Sequence, residues 1–123
     1  MFTDAKLTLM ISDMNRAVEF YTETLGLPLK FRGGDEWAEI QAPGLTIALH
    51  PARERGPKSD QPGHLSIGFQ VEQLETAMAA LKEKGVEFAP HIIDDQFVRI
   101  AHFTDPDRTP LYLCEVKSAA SYR

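Results

Sequence analysis

LTLMISDMNRAVEFYTETLG, residues 7–26, changes its hydrophobic period partway along. Leu7, Leu9 and Ile11 alternate, which is the pattern of a strand with one buried face. Met14, Ala17, Val18 and Tyr21 then fall on one helical stripe, and Gly26 closes the segment. LSIGFQVEQLETAMAALKEKG, residues 65–85, repeats the change: Leu65, Ile67 and Phe69 alternate, Leu74, Ala77, Met78 and Leu81 form a stripe, and Gly85 follows. Two such switches at matching points identify two copies of one supersecondary unit. A duplicated unit is expected to make a pseudo-symmetric body with its ligand site between the copies.

Outward from these stretches, Asp13 or Ser12 is the expected N-cap of a helix over 14–25, and Gly26 and Pro28 end it. Strands are expected near 28–32, 36–42 and 45–50, separated by Gly33-Gly34 and by Pro43-Gly44. PARERGPKSDQPG, residues 51–63, has three prolines, two glycines and five charges and reads as a solvated linker. The second half follows with a strand over 64–70, a helix over 73–84, and strands near 86–92, 96–103 and 111–116. Asp105-Pro106-Asp107 makes the last turn, and the tail 117–123 carries little to bury. Each half is therefore β-α-β-β-β: a single domain over 1–123, made of a module 1–50 and a module 64–117.

A chain of 123 residues with 43% hydrophobic and 25% charged residues has the balance of an ordinary soluble globular protein. The formal net charge of −5 speaks against a nucleic-acid or anionic-membrane surface. No apolar run approaches the roughly 20 residues that span a bilayer, and MFTDAKLTLM does not read as a signal peptide. The single cysteine, Cys114, excludes an intrachain disulfide framework, and a cytoplasmic location is expected.

Alternation also separates the two faces of each strand. With Leu7, Leu9 and Ile11 toward a helix, Lys6, Thr8 and Met10 take the other side. Likewise Leu45, Ile47 and Leu49 leave Thr46, Ala48 and His50; Leu65, Ile67 and Phe69 leave His64, Ser66 and Gly68; Leu111 and Leu113 leave Tyr112 and Cys114. His102 joins this second face if Phe103 points toward the helix. The face is more polar than a core and less charged than a solvent surface, so a curved sheet bearing it is a candidate pocket wall. Trp37, Met10, Tyr112 and Phe31 can supply an aromatic wall for a flat ligand, or ordinary packing. His50, His64 and His102 can bind a metal or serve as dispersed polar lining. Lys6, Glu39 and Tyr112 can form a proton-transfer set, or Lys6 and Glu39 can simply pair as ions. His91 reads as loop surface, Cys114 as inert packing, and the charges of the second helix (Glu72, Glu75, Lys82, Glu83, Lys84) as a solvated face.

Three segments, ISDMNRAVEFYTETLGL (11–27), GHLSIGFQVEQLETAMAALKEKGV (63–86) and HFTDPDRTPLYLCE (102–115), resemble the vicinal oxygen chelate superfamily of glyoxalases, fosfomycin-resistance enzymes, extradiol dioxygenases and bleomycin-resistance proteins. The resemblance implies an α+β fold, two βαβββ modules forming a cupped mixed sheet around a cavity. It also implies the metal-ligand positions of the metal-dependent members. These fall on Lys6, Ala48, His64 and Tyr112, of which His64 alone carries a donor of the expected kind. The family's Asp-Pro-Asp-Gly-Asn turn stands here as Asp105-Pro106-Asp107-Arg108-Thr109, without the glycine that takes positive φ easily.

A divalent metal needs about three protein donors of suitable charge, and Lys6 would place an ammonium where the cation should sit. The expectation is therefore a protein with no metal and no cofactor that sequesters an organic small molecule, with Lys6, Trp37, Glu39, His50, His64, His102 and Tyr112 lining its pocket. The alternative is a divergent glyoxalase-like lyase or isomerase using a relocated metal or the Lys6, Glu39 and Tyr112 set. A homodimer is expected, since association would cover sheet edges and close the cupped face.

Overall fold

The computed structural model describes residue 1, residues 3–52 and residues 65–117. Most of the expected linker, His64, and the tail from 118 onward lie outside the described residues. The chain divides into two compact units: Met1–Pro62 with Pro106–Arg108, and Gly63–Asp105 with Thr109–Arg123.

The first unit runs β1 (Leu7–Ile11), α1 (Met14–Glu19), β2 (Leu29–Gly33), β3 (Trp37–Ala42) and β4 (Leu45–Pro51). Asp13 caps α1: its backbone is extended, and its carboxyl accepts the Arg16 amide at 3.0 Å, satisfying a donor that the helix start leaves free. The helix then widens into a π-helical turn over Phe20–Thr24, closed by the Leu25 amide donating to the Phe20 carbonyl at 2.9 Å. A continuous α-helix over 14–25 is thus corrected to an α-helix followed by a π turn. Gly26, at φ 77°, ends it. The sheet order is β1-β4-β3-β2, with β1 parallel to β4 and the other pairs antiparallel. Ile40, Ile47 and Leu49 are fully buried on the side of α1, together with Ala17 and Tyr21.

The second unit runs β5 (Ile67–Gln70), α2 (Leu74–Glu83), β6 (Ile93–Asp94), β7 (Val98–Thr104) and β8 (Pro110–Val116) in the order β5-β8-β7-β6. Strand by strand this is the permutation of the first unit, so the repeat in the sequence is a repeat in topology. The fold is α+β, two βαβββ modules, each with its own four-stranded mixed sheet. Ala101, Phe103, Leu111 and Leu113 are buried on the side of α2, with Leu74 and Met78 of the helix. Gln73 lends α2 no side-chain cap; the Leu74 amide instead donates to Glu115 of β8 at 2.8 Å. Arg99 of β7 bridges Glu75 at 2.5 Å and Asp94 at 3.5 Å. Glu75 is therefore an ion-pair partner, not merely part of a solvated face.

Two further expectations are corrected. Residues 86–92 form no strand, and β6 is only Ile93–Asp94. Val86 is buried, the Phe88 ring packs on Phe103 at 5.2 Å, and the Ala89 amide donates to the His102 carbonyl at 2.8 Å; Pro90 then has no amide with which to extend a ladder. Leu65 does not share the buried face with Ile67: it precedes β5 and is 49% exposed.

Candidate functional site

In the first unit, the side of the sheet away from α1 is built from alternate residues of β1, β4 and β3. Cross-strand register puts Thr8 and Glu39 on either side of Ala48, and Met10 beside His50. Trp37 and Glu39 stand two apart on β3 and face the same way; the indole Nε1–H donates to Glu39 Oε2 at 2.8 Å. The His50 ring lies 6.1 Å from the indole, nearly edge-on at 75°. His50 Nδ1 is 2.8 Å from the Pro51 carbonyl oxygen, which can only accept, so the proton sits on Nδ1 and Nε2 of the neutral ring is left as an acceptor. Phe31 of β2, paired with Glu39, is 55% exposed. Trp37, Glu39 and His50 therefore form one cluster: two rings and a carboxylate, with Glu39 Oε1 and His50 Nε2 as acceptors.

Toward the other end of the same side the chemistry becomes cationic and amide-like. Lys30 Nζ donates to Thr46 Oγ1 at 3.5 Å, and Thr46 donates on to Gln41 Oε1 at 3.2 Å. Lys6 precedes β1 and donates to Asp4 Oδ2 at 2.7 Å. That bond raises the Lys6 pKa, with Glu39 adding only through its field, and the same bond lowers the Asp4 pKa. The direct Lys6–Glu39 ion pair is thus corrected: the ammonium has taken the acidic neighbour two residues away.

In the second unit, the side away from α2 carries His102 of β7 and Tyr112 of β8, directly paired in register, with ring centroids 5.9 Å apart and planes at 55°. On its other flank Tyr112 pairs with Gly68 of β5, and the outer end of its ring occupies the space where a side chain at 68 would stand. Cys114 is two residues further along; burial, and then the charge of Asp95, push its thiol pKa up, so it is a poor thiolate at neutral pH. His91 is exposed in the loop before β6. The sequence-derived residues thus form two groups, Trp37–Glu39–His50 in one unit and His102–Tyr112 in the other, with Lys6 apart on Asp4 and His64 outside the described residues.

The donor set does not fit the metal of the metal-dependent chelate enzymes. Ala48 is fully buried and has no donor atom, Lys6 is held as an ammonium by Asp4, and the end of Tyr112 rests over Gly68. Among the described residues, no three His, Cys, Asp or Glu side chains are grouped so as to hold a metal ion. No helix among the described residues is long and apolar enough to cross a membrane. A surface depression of about 370 Å³, which strand alternation does not reveal, lies elsewhere in the first unit, between the start of α1 and the β2–β3 hairpin. Its acidic groups include Asp13, which caps α1, and Asp35, which pairs with Arg32 at 3.2 Å.

Comparison with known proteins places these features. The family model of the Glyoxalase/Bleomycin resistance protein/Dioxygenase superfamily matches residues 5–111. The uncharacterized protein YraH of Bacillus subtilis is 27% identical over 114 residues, covering 83% of this chain and 89% of YraH. A member of the same superfamily from Sphaerobacter thermophilus is 26% identical with a TM-score of 0.74, covering 94% of this chain and 98% of its own. TnmS3, an antibiotic binding protein from Streptomyces sp. CB03234, has the same fold with a TM-score of 0.73 at 24% identity, over 94% of this chain and 98% of its own.

Proposed function

The chain belongs to the Glyoxalase/Bleomycin resistance protein/Dioxygenase superfamily, and on that footing we propose that it is a metal-independent, cytoplasmic binder of an organic small molecule with a planar aromatic part. The observation that carries this reading is the Trp37–Glu39–His50 cluster. A half-exposed indole is fixed by its own carboxylate neighbour, flanked edge-on by an imidazole, and stands near an exposed phenyl ring. Such a surface offers flat apolar area at little conformational cost, and its two acceptors orient a ligand that brings hydrogen-bond donors. The antibiotic-binding TnmS3 is support by analogy of fold.

The acid–base reading of Lys6, Glu39 and Tyr112 has less behind it. Asp4 raises the Lys6 pKa, which works against Lys6 as a base, and one oxygen of the Glu39 carboxylate already accepts from the indole. The homodimer belongs to the same proposal. β2 and β6 are sheet edges carrying exposed Leu29, Phe31 and Ile93, and a second copy of the chain would cover them. Light scattering should give twice the chain mass; 13.8 kDa would contradict it.

Trp37 is the only tryptophan, so binding can be read directly. A panel of planar aromatic compounds, screened by thermal shift, should yield ligands that quench Trp37 fluorescence. Glu39→Ala should weaken them by about 1–3 kcal/mol while leaving the fold intact. Ligands that stabilise the protein yet leave Trp37 unaffected would refute the placement, and a panel without any stabilising compound would refute the ligand class.

A further inference from the structure

Gly68 has no backbone reason to be glycine. It lies inside β5, paired in regular register with Tyr112, and it is not among the glycines at positive φ. What requires it is the neighbouring ring. A Cβ at position 68 would sit 2.2 Å from Tyr112 Cζ and 2.4 Å from both Cε2 and Oη. These distances are far inside van der Waals contact, and the clashing atoms belong to the outer end of a side chain that can swing. A residue with a side chain at 68 would therefore be accommodated by moving Tyr112 rather than by unfolding β5. A strand-interior glycine weakens a sheet, and its use here marks a close approach. In this case the approaching group is a half-buried aromatic ring whose other neighbour, the exposed His102 ring, is 5.9 Å away.

The geometry points to Gly68 as a positioning residue: its missing side chain lets Tyr112 extend over β5 and form, with His102, a platform that stacks the planar ring of an aromatic small molecule. This rests on the small-molecule reading above and adds a stacking surface that belongs to the second unit. Leu111 and Leu113, which alternate with Tyr112, are buried on the helix side, so moving the phenol leaves the core of the unit untouched. Tyr112 itself cannot reach the helix face without a register shift that would turn Leu111 and Leu113 outward.

The test uses indole as the probe and the ring protons of His102 and Tyr112 as the readout, by nuclear magnetic resonance on the full chain. Without indole, Gly68→Ala should shift the His102 ring protons, because the Tyr112 ring current that acts on them moves, while amide dispersion stays native. Tyr112→Leu should abolish that dependence, so that adding Gly68→Ala to Tyr112→Leu changes His102 no further. With indole, the wild-type His102 and Tyr112 resonances should move together on titration, and Gly68→Ala should weaken this response by about three- to tenfold, the range of one aromatic contact. Unchanged His102 resonances in Gly68→Ala would overturn the positioning role. Wild-type resonances that ignore indole would overturn the platform, and a panel ligand that still quenches Trp37 would leave the first-unit reading standing.

Discussion

Asp107→Ala should cost the first unit about 2–3 kcal/mol, through contacts that join residues far apart in sequence. Asp107 is only 7% exposed and sits in the turn between β7 and β8, in the short stretch Pro106–Arg108 that belongs to the first unit. Its Oδ1 accepts the Ser12 amide at 3.0 Å and the Ser12 hydroxyl at 2.5 Å. Ser12 Oγ also accepts from Arg16 Nη2 at 2.9 Å, so the carboxyl anchors the start of α1 at one remove. Two part-buried hydrogen bonds at about 1–1.5 kcal/mol each give the estimate; exposure of Ser12 lets water replace some of the loss and keeps it from growing larger. Ser12→Ala removes the hydroxyl bond to Asp107, together with the exposed contact from Arg16, and should cost about 1 kcal/mol. The double variant should then lose about 1 kcal/mol less than the sum, because the shared bond is counted twice in the single variants. Urea unfolding followed by Trp37 fluorescence reports the unit concerned. An Asp107→Ala protein within about 0.5 kcal/mol of wild type, or strict additivity in the double variant, would show that the Ser12–Asp107 bonds do not stabilise this unit.

Arg108 occupies the left-handed region at φ 67°, which costs an L-residue about 1–2 kcal/mol, so Arg108→Gly should gain about 0.5–1 kcal/mol after glycine's extra chain entropy is counted. A lower urea midpoint for that variant would show that the arginine side chain contributes more than its backbone costs. Asp95 accepts the Phe97 amide at 2.7 Å and the Val98 amide at 2.9 Å, and the Val98 bond, then the Phe97 bond, depress its pKa. Asp94 is depressed first by Lys117. Folded carboxyl pKa values below the unfolded ones give stability that is present above the unfolded value, near 4, and is lost as pH falls through the folded values. The thermal midpoint should therefore drop on acidification, less steeply for Asp95→Asn; parallel profiles would contradict this. Cys114, with its thiol pKa raised by burial, should react with a disulfide reagent more slowly at neutral pH in the folded protein than in urea; faster reaction when folded would mean an activating neighbour.

The repeat was legible because each copy changes period at the same place, and a strand followed by a helix is the only local structure that satisfies both periods. Asp13 was legible as a cap from its position just before Met14. Strand parity, too, could be read wherever one face is plainly apolar, as with Ile47 and Leu49 or Leu111 and Leu113. Three kinds of feature were not. Residues 86–92 are apolar enough to suggest a strand, but Val86 bonds back to Leu81, Phe88 packs its ring on Phe103 and Ala89 bonds to His102, which no pattern distinguishes from a ladder. Lys6 and Glu39 share a side of the sheet, yet alternation cannot say that Asp4 is nearer to the ammonium. The Gly68–Tyr112 approach depends on which way a ring extends across a neighbouring strand, a rotamer choice that leaves no periodic trace. The π-helical turn is similar: its FYTET sequence continues the apolar stripe through Tyr21, and backbone bonds such as Leu25 to Phe20 reveal the wider pitch.

Binding of an organic molecule beside Trp37 should need no metal. The most direct test is the affinity of a quenching ligand for tag-free protein, measured by Trp37 fluorescence before and after exhaustive chelation, with elemental analysis of both samples. The same dissociation constant is expected in each, with no stoichiometric zinc, nickel, manganese or iron in either. About one tightly held transition metal per chain, with binding lost on its removal and restored on its return, would contradict it.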